Sequence, residues 1–161
     1  MIVGARQAEF DYPTGEGDDP TTNGTATSWT GTSGIKLDNP LTKLLYALRF
    51  RDLNLFISDQ LTPASQLLFH RSLSDRLDHL APFLQYDKDP YLVIVDGKMY
   101  WIQDAYATTN RYPYSTPSAE GYNYIRNSVK AVIDAYDGST TLYLVDENEP
   151  ITKSWSKIFP R

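Results

Sequence analysis

Two stretches with the same strand-turn-strand pattern constrain this chain more than any other feature. Tyr91 to Tyr106 reads YLVIVDGKMYWIQDAY, and Val129 to Val145 reads VKAVIDAYDGSTTLYLV. Each sets an Asp-Gly pair, Asp96-Gly97 or Asp137-Gly138, between runs rich in β-branched and aromatic residues. Asp-Gly tolerates the positive φ angles of tight hairpin turns, and the flanking residues favour a pleated surface. The triplet Asp-Ala-Tyr occurs at 104–106 and again at 134–136. Two antiparallel hairpins in one sheet are expected. In the first, Leu92 and Ile94 share one face while Tyr91, Val93 and Val95 share the other, so both faces are expected to be partly buried. Over 124–136 a helix competes, because Ile125, Val129, Val132 and Tyr136 also form a helical stripe. The turn chemistry favours the hairpin.

Short helices should pack on this sheet. Asn39 is a good N-cap and Pro40 suits the first helical position. Leu41, Leu44, Leu45 and Leu48 follow at i, i+3, i+4 and i+7, a stripe expected to be buried. Leu53 to Ile57 continues as a second short helix or a buried connector. Gln66–Phe69 reads as a short strand. Ser72 with Asp75 approximates a capping box for a helix over 72–80, with Leu73, Leu77 and Leu80 inward and Pro82 at its end. A last helix over 151–159 carries Ile151, Trp155, Ile158 and Phe159. The chain stops abruptly after it, which suggests that more protein follows. The fold class is α+β: an antiparallel sheet built largely from two hairpins, packed against short helices.

The first 34 residues are poor in core material. Thr14 to Gly34 is mostly Thr, Gly, Ser and Asp, and 14–28 reads as a mobile loop. Glu9 to Pro13 reads as an arm docking through Phe10 and Tyr12. The expected division is 1–34 as arm and loop, and 35–161 as the α+β domain, itself a piece of something longer. At 161 residues the chain can build one real core. Its net charge of −5 argues against a nucleic-acid partner. Without cysteine there is no thiolate nucleophile or thiolate metal site, and there is no apolar run long enough to span a bilayer.

A search for chemistry yields little. His70 and His79 are the only histidines and stand in no metal motif, so each reads as a surface or boundary residue. Asp87, Asp89 and Asp96 lack calcium-loop spacing. No nucleophile elbow or phosphate loop occurs. No metal and no cofactor is expected. Asp104 and Asp134, in their matching triplets, could form a carboxylate pair at a sheet end and support hydrolysis of glycan or peptide. The competing account has each accepting backbone amides or facing water, and it is favoured. The better binding candidate is the segment joining the hairpins. Arg111, Tyr112, Tyr114, Tyr122, Tyr124 and Arg126 combine flat apolar faces with hydrogen-bond donors, a mixture that suits sugar, peptide or a protein partner.

The chain resembles the soluble region of uncharacterised protein family 0182, large bacterial multi-pass membrane proteins found notably in actinobacteria. The resemblance rests on Glu9-Phe10-Asp11-Tyr12-Pro13, Tyr46-Ala47-Leu48-Arg49-Phe50, Asp52-Leu53-Asn54-Leu55 and Ala81-Pro82-Phe83-Leu84. Asp89-Pro90-Tyr91, Arg111-Tyr112-Pro113-Tyr114, the run from Asn123 to Lys130, and Asp134 to Gly138 complete it. It implies an extracytoplasmic part of a plasma-membrane protein, with no catalytic residues to carry over. The expected function is a non-catalytic binding or assembly module. Its partners would be the remaining parts of the same membrane protein, and envelope glycan, peptide or another envelope protein. The alternative is the Asp104/Asp134 hydrolase. A purely structural spacer, the third reading, would have no concave pocket.

Overall fold

The computed structural model describes residues 1–7, 9–13, 24–31 and 33–159, with the side chains of 10–13 and 24–27 outside that description. The fold is α+β, and its contacts divide it into two units, Met1–Phe69 and His70–Arg161. The boundary at residue 34 suggested by composition falls inside the first unit.

The first unit contains β1 (Ile2–Val3), β2 (Glu9–Pro13), β3 (Gly24–Thr27), β4 (Ile35–Lys36), α1 (Pro40–Phe50), α2 (Asn54–Ile57) and β5 (Gln66–Leu67). Strands β1, β5 and β4 form a small antiparallel sheet in that order, and β2 pairs with β3. Most of the loop expected over 14–28 lies outside the described residues. Gly24–Thr27, however, is a strand, because its backbone finds a ladder partner in β2.

Helix α1 starts as its sequence predicts. The Asn39 side chain accepts the Leu41 amide at 2.9 Å, and Pro40 opens the first turn. Its leucine stripe is not buried. Ala47 is fully buried and Leu44 half-buried, whereas Leu41, Leu45 and Leu48 are 60%, 57% and 60% exposed. The helix is fixed from another side, where Tyr46 and Phe50 meet Phe69 with ring centroids 5.9 and 6.4 Å away. Among the described residues of this unit nothing covers the stripe. Leu53, Phe56 and Ile57 around α2 are exposed as well, and only Leu55 of α2 is buried.

The second unit runs α3 (Leu73–Leu80), β6 (Gln85–Tyr86), β7 (Tyr91–Val95), β8 (Lys98–Thr109), β9 (Tyr124–Asp134), β10 (Thr140–Leu144) and α4 (Pro150–Ile158). The antiparallel sheet has the order β10-β9-β8-β6, and β7 pairs with the start of β8. Both expected hairpins form, and 124–134 is strand. The first hairpin turns on two residues of positive φ, Asp96 (51°) and Gly97 (76°), between the paired residues Val95 and Lys98. The second needs a longer loop: Asp134 and Ser139 close it through a 2.9 Å hydrogen bond, and Gly138 supplies a φ of 73°.

The core lies on one face of this sheet. Leu77 of α3 packs on Ala131 and Ile133, flanked by Trp101, Tyr86 and Leu142. Ala81 and Leu84 continue the layer over Ala105 and Val129. Burial pushes the Tyr86 phenol up to about 12, with Asp78 nearby adding to the effect. Its hydroxyl donates to the carbonyls of Leu77 and Ala81, each at 3.1 Å. Three expectations need correction. Leu80 is 50% exposed, because α3 ends there and Ala81 and Leu84 fill the space beyond it. Leu92 and Ile94 are 44% and 71% exposed and Tyr91 and Val95 are exposed too, since among the described residues β7 is an edge strand that pairs with β8 alone. Ser72 caps α3 through its backbone alone, with no side-chain cap bond. Asp75 is one methylene shorter than the glutamate of a capping box, and it engages His70 instead.

Candidate functional site

The segment joining β8 to β9 is exposed yet ordered by its own hydrogen bonds. Asn123 is its clasp. The Asn123 amide nitrogen donates to the carbonyls of Tyr112 (2.8 Å) and Ser115 (3.0 Å), and its Oδ1 accepts the Tyr112 N–H at 3.0 Å. The Ser115 hydroxyl donates to the Asn123 carbonyl at 3.1 Å, and the Ser118 amide donates to the Tyr122 carbonyl at 2.8 Å. These bonds brace the segment from within the chain itself. Tyr114 has a φ of 60°, a costly backbone for a bulky residue, and its side chain is entirely exposed. The clasp on either side of it, at Tyr112 and Ser115, holds that conformation.

The six expected binding residues divide into two groups. Arg111, Tyr112 and Tyr114 face solvent, and the Tyr112 ring stacks on Tyr124 with centroids 5.4 Å apart and planes 15° from parallel. The other three are engaged locally. Arg126 pairs with Asp146 at 3.0 Å, and Tyr122 donates to Glu120. The Asn148 amide, followed by Arg126, holds the Asp146 carboxyl below its ordinary range. The Tyr124 hydroxyl donates to Glu149 at 3.1 Å, and its pKa is raised first by desolvation and then by that bond.

Glu149, missed in the sequence, anchors this end of the unit. It is 3% exposed and caps α4, accepting the Thr152 amide at 2.5 Å and the Thr152 hydroxyl at 2.9 Å. Desolvation works against its ionisation, but the Thr152, Ile151 and Tyr124 donors outweigh it and its pKa falls. The available signal was Pro150, which marks the first helical position and so places Glu149 at the cap. Nothing in the sequence marks Asn123 as the clasp.

The carboxylate pair does not form. Asp104 lies opposite Lys130, and Asp134 lies opposite Tyr100. Lys130 and Asp134 are four residues apart on β9, which separates the two aspartates by about 13 Å along the ribbon at roughly 3.3 Å per residue. That exceeds the spacing of a glycosidase pair. Each has another role: Asp104 pairs with Lys130, and Asp134 accepts the amides of Tyr136 (2.8 Å) and Asp137 (3.2 Å) to shape the turn. The Asp104 hydrogen bond is also the main reason the Lys130 pKa is raised.

The second unit also has a groove of about 850 Å³ beside β6, with Phe83, Asp87, Lys88 and Gln103 among its lining residues. Gln103 is 3% exposed; its Nε2 donates to the Asp87 carbonyl, while its Oε1 has no hydrogen-bond partner among the described residues. A groove runs against the spacer reading. Phe83 also stacks on Trp155 and Phe159 of the α4 end, at 4.1 and 5.4 Å between centroids. Among the described residues, no helix is long and apolar enough to cross a membrane.

Comparison with known proteins adds a family. The model of Uncharacterised protein family (UPF0182) matches residues 1–161. A UPF0182 protein of Moorella thermoacetica is 47% identical over 161 residues, covering 99% of this chain but 17% of that protein. Another, of Clostridium acetobutylicum, is 51% identical over 152 residues, 94% of this chain and 16% of its own length. A third, of Microcystis aeruginosa, is 45% identical over 157 residues, again 94% and 16%. The chain therefore spans about one sixth of the length of these relatives. The emphasis on actinobacteria is not supported by them. No solved structure matches.

Proposed function

The chain belongs to Uncharacterised protein family (UPF0182), and from that premise we propose that it is a non-catalytic binding and assembly module, extracytoplasmic and part of a plasma-membrane protein. Its first partner is the rest of the parent polypeptide. One observation carries this reading: Leu41, Leu45 and Leu48 stand exposed in a row on a well-capped helix. Three leucines in one stripe cost solvation free energy when left in water, and such patches mark contact surfaces. Relatives about six times longer supply ample chain to cover them. The strapped Arg111–Tyr114 segment is a second contact point, suited to a further envelope partner such as glycan or peptide, because its backbone is braced and the Tyr112 ring is already stacked on Tyr124. The extracytoplasmic setting rests on the family resemblance seen in the sequence. The acidic balance and the dispersal of Asp104 and Asp134 weigh against nucleic acid and against carboxylate hydrolysis.

The test is complementation in two pieces. The 161-residue chain is mixed with a parent polypeptide from which the equivalent region has been deleted. The wild-type chain should bind it, and a Leu41→Ser/Leu45→Asp/Leu48→Ser variant with an unchanged melting temperature should not. Failure of the wild-type chain to bind sinks the proposal. Binding lost only on replacing Tyr112 and Tyr114 would move the interface to the aromatic segment. Reporter fusions within this region of the full-length protein should read outside the cytoplasm, and a cytoplasmic reading would overturn the location.

A further inference from the structure

We propose that His70, Asp75 and His79 form a binding site for a divalent transition-metal ion of the zinc type. The three are brought together by the start of α3. Asp75 and His79 are four residues apart and so share one face of the helix. His70 lies two residues before the Ser72 cap and has a φ of 53°, in the left-handed region that histidine, like asparagine and aspartate, enters more readily than most side-chain-bearing residues. The result is a two-histidine, one-carboxylate cluster. The His70 Nδ1 contacts one oxygen of Asp75, and the His79 Nδ1 lies 3.4 Å from the other while donating to the Asp75 backbone carbonyl at 2.7 Å, which leaves the His79 Nε2 with the lone pair for an ion. The two imidazole rings are 4.1 Å apart at their centroids. One donor atom from each residue lies within 4.8 Å of the others.

An ion bonded at about 2.0–2.2 Å to each donor needs donors roughly 3.3–3.6 Å apart in a tetrahedral arrangement. Small side-chain rotations reach that spacing, opening the short His70–Asp75 contact and drawing in any pair that is wider but still within 4.8 Å. The three side chains are 27%, 45% and 60% exposed, so an ion has a path in and the side chains have room to turn. Arg76, on the same helix, is directed elsewhere and donates to the carbonyls of His70 (2.9 Å) and Gly138. Imidazole nitrogen favours zinc, nickel or copper over calcium and magnesium, which prefer all-oxygen sites. Three protein ligands leave a fourth position for water or for a donor from a partner. The ion would tie the segment before α3 to the second turn of that helix, which carries Leu77 into the core.

The experiment is a calorimetric zinc titration of the tag-free 161-residue chain, in parallel with His70→Ala, Asp75→Asn and His79→Ala. One ion should bind per wild-type chain, calcium and magnesium should not compete, and each substitution should weaken binding at least about tenfold. His79 is largely exposed, so His79→Ala should keep the metal-free melting temperature of the wild type while losing the rise that zinc produces. That variant keeps the test meaningful even if Asp75→Asn folds poorly. Absence of binding by the wild type, or binding that survives in His79→Ala, would overturn the proposal.

Discussion

The Tyr124 hydroxyl donates to Glu149 at 3.1 Å, joining the first residue of strand β9 to the cap of helix α4. One buried carboxylate thus organises the helix start, receives the ring that stacks under Tyr112, and holds one end of the candidate binding segment.

That linkage gives a pH dependence. The Glu149 pKa is lowered in the folded chain, so its contribution is present above the unfolded value, about 4.5, and is lost as the pH falls through the lower folded value. Glu149→Gln should lower stability at pH 7 by about 1–2 kcal/mol, in the range of a lost helix cap. It should also flatten the decline in stability between neutral and acidic pH. Urea unfolding across that range measures both, and parallel curves for the two proteins would contradict the assignment.

Leu77 is fully buried between α3 and the sheet. Leu77→Ala should cost about 2–5 kcal/mol, through lost transfer free energy and the cavity left behind. A loss below about 0.5 kcal/mol would place Leu77 outside the core.

The clasp and the displayed ring should separate. Tyr114→Ala removes a fully exposed side chain and should change stability by less than about 0.5 kcal/mol. Asn123→Ala removes the bonds to Tyr112 and Ser115 and should cost about 1–2 kcal/mol. Amide exchange over 110–122 should accelerate in the Asn123 variant alone. Equal exchange in both variants would mean that the clasp does not order the segment.

Asp104 and Lys130 form a half-exposed pair across β8 and β9. Asp104→Asn should cost under about 1 kcal/mol, and less in high salt. A double-mutant cycle with Lys130→Met isolates the pair, and a coupling above about 2 kcal/mol would give it a structural weight that its exposure does not support.

Local chemistry made elements of both units legible. Asp96-Gly97 required a tight turn and Asn39-Pro40 a helix start, because both are backbone preferences of a few adjacent residues. Alternation gave the inner face of β9, where Val129, Ala131 and Ile133 are buried. Periodicity also found the stripe Leu41-Leu44-Leu45-Leu48, but periodicity reports only that a face is apolar. It does not say what covers it, and here α1 turns Ala47, Tyr46 and Phe50 to its own unit.

By itself, then, the sequence determined the two ribbons, several helix starts and the family, because each is written in neighbouring residues or in words kept in order along the chain. Tertiary structure alone decided which distant groups meet. The register put Asp104 opposite Lys130 rather than beside Asp134, since a sheet fixes partners by pairing and not by matching triplets. Hydrogen bonds across the segment made Asn123 its clasp. A left-handed residue before α3 brought His70 against Asp75 and His79, since only the folded path of the backbone sets how residues 70 and 79 approach each other.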